Sequence, residues 1–232
     1  MQVFVSGGTG YIGQRMNRLL VERGHAMTAL VRPGSEKKLP AGCASVGGSA
    51  VDASSFAAQV PPADTFVHLV GVSHPAPWKE REFRAVDLAS VNASVEAALR
   101  AGIRHIVYVS VAQPAPVMKA YIQVRAECEA VISRSGMNAT FVRPWYVLGP
   151  GHRWPVALIP FYRLLERIPS KRESAIRLGL VTIEEMAAAL VWAVENPTSG
   201  VRVISVPEIR AAATRLRLGQ DGGAAAPATA AR

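Results

Sequence analysis

Gln2-Val3-Phe4-Val5-Ser6-Gly7-Gly8-Thr9-Gly10-Tyr11-Ile12-Gly13 follows the initial methionine. Residues 2–6 read as a short buried strand. Beyond the glycines, Ile12, Met16, Leu19 and Leu20 fall on one face of a helical repeat that Gly24 and His25 close, and Ala26 to Val31 reads as a second strand. Strand, glycine turn, helix, strand in that order begins an α/β sheet of the doubly wound kind. At such a turn Gly7 permits the sharp exit from the strand, Gly10 lets backbone approach a bound group, and Gly13 lets the helix pack closely on the sheet.

The alternation continues outward from this unit. Ala44 to Gly47 is a weak third strand, and Thr65 to Val70 is a clear one, apolar except for His68. A helix is expected over about 80–101, closed by Gly102, then a strand from His105 to Ser110, a helix over about 118–134 and a strand from Ala139 to Val142. After Arg143-Pro144 the pattern loosens into an aromatic, turn-rich stretch. A helix is expected at Val156 to Ile168, a short strand at Leu180–Val181, a helix at 184–195 and a last strand at Val201 to Val206. The expectation is one doubly wound Rossmann-type parallel sheet over residues 1–206. Residues 145–182 form a substrate-side elaboration, 207–218 an extension and 219–232 a disordered Gly/Ala/Pro tail.

The glycine turn in this context implies a dinucleotide whose pyrophosphate rests on the helix N terminus. Thr9, Tyr11 and Ile12 belong to that cradle with Gly7, Gly10 and Gly13, and Val70-Gly71 would pass beneath the bound molecule. Where an NAD-binding chain carries an acid at the end of its second strand, this one has Arg32, whose guanidinium suits a 2′-phosphate; NADP(H) is therefore preferred, with NAD(H) possible. Asp52 either contacts the adenine or caps the helix beginning at Ser54.

Composition narrows the classes further. The 232 residues carry 26 Lys+Arg against 17 Asp+Glu, a net charge of +9. Part of the surplus lies in residues 1–40, at Arg15, Arg32, Lys37 and Lys38 among others, while 41–120 are neutral, the rest is scattered and no basic block occurs. That distribution argues against nucleic acid and for a small anionic ligand. Cys43 and Cys128 lack metal-ligand or disulfide spacing, so no metal is expected. No apolar run reaches the ~18 residues of a spanning helix. Peripheral membrane contact stays open at Val156 to Ile168, which has Arg163 and Arg167 beside its apolar face. A strand that begins beside Met1 leaves no room for a leader, so a cytoplasmic location is expected.

The glycine turn at 7–13, Val67-His68-Leu69-Val70, Tyr108-Val109-Ser110, Tyr121 followed by a helix, and Arg143-Pro144 resemble, in that order, the atypical branch of the short-chain dehydrogenase/reductase superfamily. That branch includes NmrA-like proteins and NAD(P)H-binding relatives of the NAD-dependent epimerases and dehydratases. The resemblance implies a catalytic set of Ser110, Tyr121 and Arg125, with Pro144 also against the cofactor. Arg125 stands where family enzymes carry lysine, four residues after the tyrosine and on the same helix face. A guanidinium is permanently charged but cannot reproduce a compact ammonium's contacts with both ribose and phenol. Two functions follow: an NADP(H)-dependent oxidoreductase on a small apolar carbonyl or quinone-like compound, or a non-catalytic NAD(P)(H)-binding sensor or assembly protein. Trp145, His152, Arg153 and Trp154, beyond strand six at the ligand-binding edge of the sheet, are the candidate substrate residues. The family's pairing helices correspond to about 80–101 and 118–134, which makes a homodimer possible.

Overall fold

The computed structural model describes residues 1–115, 117–150 and 178–222, with side chains up to 216. Seven parallel strands form the central sheet. They are β1 (Gln2–Ser6), β2 (Ala26–Val31), β3 (Ala44–Gly47), β4 (Thr65–His68), β5 (His105–Val109), β6 (Asn138–Val142) and β9 (Val201–Ile204), in the spatial order β3-β2-β1-β4-β5-β6-β9. Chain order reverses between β1 and β4, where Val3–Ser6 pair with Thr65–His68. A doubly wound sheet opens its ligand crevice at that reversal, outside the carboxyl ends of the strands. Two three-residue strands, β7 (Tyr146–Leu148) and β8 (Leu180–Thr182), make a small parallel sheet of their own.

Helices cover both faces. On one side α1 (Tyr11–Glu22), α4 (Ile183–Glu195) and α5 (Val206–Gly222) enclose a core that includes Val5, Met16, Leu20, Leu190 and Ile209. On the other, α2 (Ala89–Arg100) and α3 (Lys119–Arg134) pack over Phe4, Phe66, Ile106 and Phe141. α2 continues a helical turn at Glu80–Glu82 and a π-helical segment at Phe83–Leu88. α4 starts at a capping box: Glu185 N–H donates to Thr182 Oγ1 at 3.1 Å, and Thr182 N–H donates to Glu185 Oε2 at 2.8 Å. Where a strand is expected through Val206, β9 stops at Ile204 and α5 begins, running into the segment expected to be irregular from residue 219. The helix expected at 156–168 lies outside the described residues. Among the described residues no helix is long and apolar enough to cross a membrane.

Polar side chains are buried along both seams of the sheet, and the two histidines there have partners. His68 Nδ1 lies 2.9 Å from both Ser6 Oγ and Ser94 Oγ, and its Nε2 lies 3.3 Å from Ser90 Oγ. His105 bridges Thr65 at 3.0 Å and Thr140 at 3.2 Å. Burial, reinforced by Arg125, pushes His68 down to about 3; burial, reinforced by Arg202, pushes His105 down to about 4. Both rings are therefore neutral in the fold and gain a proton on unfolding once the pH is below their free value near 6.5. Their contribution to stability is complete above about pH 6.5 and is lost as the pH falls toward their folded values, at about 1.4 kcal/mol per pH unit for each ring. Replacing His68 with Asn is expected to flatten the plot of unfolding free energy against pH by one such increment between about pH 6 and pH 4. Denaturant titrations across that range check this, and parallel curves for wild type and variant would refute it.

Candidate cofactor and active site

The glycine turn is built on close backbone approach. Gly7 has φ +79°, and a Cβ there would lie 2.8 Å from Leu69 C and 2.9 Å from Val70 N. A Cβ on Gly13 would lie 2.5 Å from Gly7 O and 2.6 Å from Gly8 O. β1, α1 and the end of β4 thus meet with no volume to spare. No side chain caps α1 at Gly10, and no acid lies in its first turn. The amides at this helix start face the crevice and carry the positive end of the helix dipole, which suits a pyrophosphate. Thr9 is half-buried, and its carbonyl oxygen accepts from Gln14 Nε2; Ile12 packs against the first core, and Tyr11 is 39% exposed.

The surface after β2 and β3 is polar and open. Arg32 follows β2 and is exposed, as are Lys37 and Lys38 in the turn Glu36–Lys38; none of the three has a carboxylate partner among the described residues. Arg15 pairs with Glu184 at 3.0 Å. Asp52 follows β3 and caps the turn at Ala53–Ser55, accepting from Ser54 N at 3.0 Å and Ser54 Oγ at 2.7 Å.

At the other end of the crevice the structure gathers Gly71, Ser110, Tyr121 and Arg125. Arg125 is 5% exposed and forms a 2.6 Å ion pair with the fully buried Asp87. Its Nη1 donates to Tyr108 Oη at 3.1 Å and to the Val109 carbonyl at 2.8 Å, one residue before Ser110. The guanidinium lies 5.1 Å from the centre of the Tyr121 ring, which also packs on Phe83 at 5.0 Å. Arg125 is therefore already engaged by protein groups. A Cβ on Gly71 would strike Arg125 Nη2 and come within 3.1 Å of Asp87 Oδ1, so the loop after β4 lies directly on the pair. Val72 N–H donates to Asp87 Oδ2 at 3.2 Å.

Burial pushes the Tyr121 phenol up; Arg125 opposes this and Asp87 reinforces it. Burial disfavours the charge on Arg125, yet Tyr108, Tyr121 and Asp87 together hold its value above the ordinary one. Ser110 is 3% exposed, and its Oγ has no hydrogen-bond partner among the described residues. A buried hydroxyl without a partner at a strand's carboxyl end suits a polar group arriving from the crevice. Pro144 is buried, and its carbonyl accepts from Ala112 N at 2.9 Å, tying the end of β6 to the loop after Ser110. Trp145 is half-buried beside it, whereas His152, Arg153 and Trp154 lie outside the described residues.

A sequence family described as NAD(P)H-binding matches residues 7–153. The chain belongs to that family, within the atypical short-chain dehydrogenases/reductases. It is similar to the ceramide reductase of Caulobacter vibrioides (strain NA1000 / CB15N), 25% identical over 205 residues. That match covers 88% of this chain and 64% of the relative's length. Among solved structures it resembles the Bordetella bronchiseptica enzyme WbmH in complex with NAD+, at TM-score 0.65 and 21% identity over 88% of this chain and 75% of that one. It likewise resembles the UDP-glucose 4-epimerase of Thermus thermophilus in complex with NAD, at TM-score 0.65 and 17% identity over 95% and 84%. These likenesses show the fold, and the family brings a nicotinamide cofactor.

Asp87, Tyr108 and His68 are not among the sequence candidates. For Asp87 a signal exists: Phe83, Asp87 and Val91 fall on one helix face, and a lone acid between two core residues needs a buried partner. The turn's geometry yields a direct expectation. Gly7→Ala must relieve both a left-handed φ and contacts to backbone atoms that cannot move independently, so it is expected to cost about 1–3 kcal/mol and weaken NADPH binding at least about tenfold. Thermal unfolding and NADPH fluorescence titration check this; wild-type values in both would refute it.

Proposed function

We propose that the protein is an NADP(H)-dependent reductase of an apolar carbonyl or quinone-like compound. The observation that carries this reading is the buried, unpartnered Ser110 Oγ, set at the end of β5 with Tyr121 gathered to the same place through Arg125. Likeness to a ceramide reductase supports an apolar substrate class, and Arg32, Lys37 and Lys38 after β2, without carboxylate partners among the described residues, support the 2′-phosphorylated cofactor.

The residues present fit the cofactor, since the turn holds side chains away from the space above Gly10 and leaves the first amides of α1 uncapped. Gly7, Thr9, Gly10, Tyr11, Ile12 and Gly13 would hold the pyrophosphate, Arg32 the 2′-phosphate, Asp52 the adenosine side, and Val70, Gly71 and Pro144 the nicotinamide end. When bound, the cofactor supplies a hydride to the carbonyl carbon. Ser110 Oγ would donate a hydrogen bond to the carbonyl oxygen and polarise it. As the carbon–oxygen π bond opens, Tyr121 would give its phenolic proton to that oxygen and later regain one from solvent. A phenol pushed up by burial is protonated at neutral pH, the state a proton donor needs. Trp145 would contribute apolar surface at the substrate side, together with His152, Arg153 and Trp154 from the segment that follows.

The engagement of Arg125 by Asp87 favours a second reading, a nicotinamide-nucleotide-binding sensor without turnover. Turnover separates the two. On a panel of apolar ketones, long-chain acyl carbonyls and quinones, the wild type is expected to oxidise NADPH in preference to NADH, and Tyr121→Phe to lose about 100-fold in kcat. Arg32→Asp is expected to move preference toward NADH. NADPH binding without turnover on any member would select the sensor, and an unchanged cofactor ratio in Arg32→Asp would remove that arginine's role.

A further inference from the structure

Asp87 lies where a helix changes its winding. It is the fifth residue of the π-helical segment Phe83–Leu88, between a short α-helical turn and α2. Single π turns re-aim side chains and recur at functional sites. Here the turn carries a fully buried carboxylate to the underside of the crevice floor. One oxygen meets Arg125 Nη2 at 2.6 Å and the other accepts the Val72 N–H at 3.2 Å. Arg125 in turn grips the Val109 carbonyl and Tyr108 Oη. The carboxyl ends of β4 and β5 are thereby tied together under Gly71, where no side chain fits above the pair.

We propose that Asp87 is a positioning residue of this site: it neutralises Arg125 and fixes it beneath Gly71, which sets the floor at the nicotinamide end and leaves Tyr121 to act as a proton donor in the reductive direction. The inference rests on the reductase reading above. It explains how a guanidinium is accommodated in the lysine position. A lone buried cation there would stabilise phenolate and would itself be costly to bury; the carboxylate answers both charges at once. The groups facing Tyr121 are Arg125 and Cys128 from its own helix and Asp87 from the π-helical segment, with Tyr108 of β5 reached through Arg125. Of these, Arg125 pulls the phenol down while Asp87 and Cys128 push it up, on top of the upward effect of burial.

Asp87→Asn keeps the shape and an acceptor for Val72 while removing the charge. The tyrosinate absorbance of Tyr121, isolated by subtracting the matching Tyr121→Phe protein, is expected to titrate at least about one pH unit lower in Asp87→Asn than in the wild-type background. The alkaline limb of NADPH-dependent turnover should move down by the same interval. A merely structural carboxylate would lower yield or thermal stability without moving either midpoint. If Asp87→Asn does not fold, the double variant Asp87→Leu/Arg125→Met removes both charges, and the Tyr121 midpoint is then expected above that of the wild type. An unmoved midpoint in whichever variant folds overturns the proposal. Absence of turnover in the wild type would overturn the reductase reading and the donor role of Tyr121 with it, whereas the titration separately tests the hold of Asp87 on Arg125.

Discussion

Everything at the ligand edge depends on how closely β1 and β4 approach at the point where the sheet reverses direction. Gly7 is held in a left-handed conformation against the Leu69–Val70 backbone, and Gly13 is packed onto the carbonyls of Gly7 and Gly8. With those contacts made, α1 starts at one height above the sheet, its uncapped amides open into the crevice, and the loop after β4 is placed across from them. The same loop continues to Gly71, where the second tight approach occurs, this time onto Arg125 and Asp87. Two glycine contacts about one loop therefore locate both the phosphate end and the nicotinamide end of the expected ligand. Neither contact tolerates adjustment, because what faces each glycine is backbone or a buried ion pair.

Buried polar groups add a second layer of definition. A core made only of the many small and branched residues here would pack in several nearly equivalent ways. His68 limits that freedom by linking Ser6 at the glycine turn to Ser90 and Ser94 on α2, and His105 does so by linking β4 to β6. Arg143 makes a bidentate pair with Glu129, joining the end of β6 to α3. Arg23 and His25 converge on Glu195, tying the end of α1 to the end of α4. Each link spans two elements, so each penalises a shift of one against the other, and removal of one partner leaves an uncompensated polar group or charge.

Much of this is legible in the sequence, and the failures have physical causes. β1, β2 and β3 fall on the stretches expected, because apolar runs bounded by glycine or turn residues have one reading in that context. α5 is missed by hydrophobic periodicity although Ser205-Val206-Pro207-Glu208 holds a helix-start pattern, with Pro near the first position and Glu208 accepting the Ser205 N–H at 2.6 Å. β8 falls on the short strand expected at Leu180–Val181, whereas β7 is not read, since three residues carry no periodicity and the pairing joins Tyr146 to the distant Leu180. At the site, glycine spacing and the Tyr121–Arg125 interval are readable as local patterns. The fate of Arg125 is not, because it depends on Asp87, which is remote in sequence and meets it at 2.6 Å only in the fold.

The charge surplus looks different once pairing is known. Arg15, Arg23, Arg84, Arg125 and Arg143 are each matched to a carboxylate, so their charges contribute little at a distance. Arg32, Lys37 and Lys38 are not matched among the described residues and occupy exposed positions after β2, with Glu36 beside the two lysines. Exposed charge without an internal partner acts on anions over roughly a Debye length, about 8–10 Å at ordinary ionic strength. A chain with +9 overall thus keeps part of its unpaired positive charge after β2, alongside other exposed basic residues such as Arg18, Arg100 and Arg134 that also lack a carboxylate partner among the described residues. At the other end the buried charges cancel in pairs, which leaves that end of the crevice close to neutral. That distribution, unpaired cations after β2 and a neutralised ion pair beneath Gly71, gives the two parts of the sheet's carboxyl edge different electrostatic character.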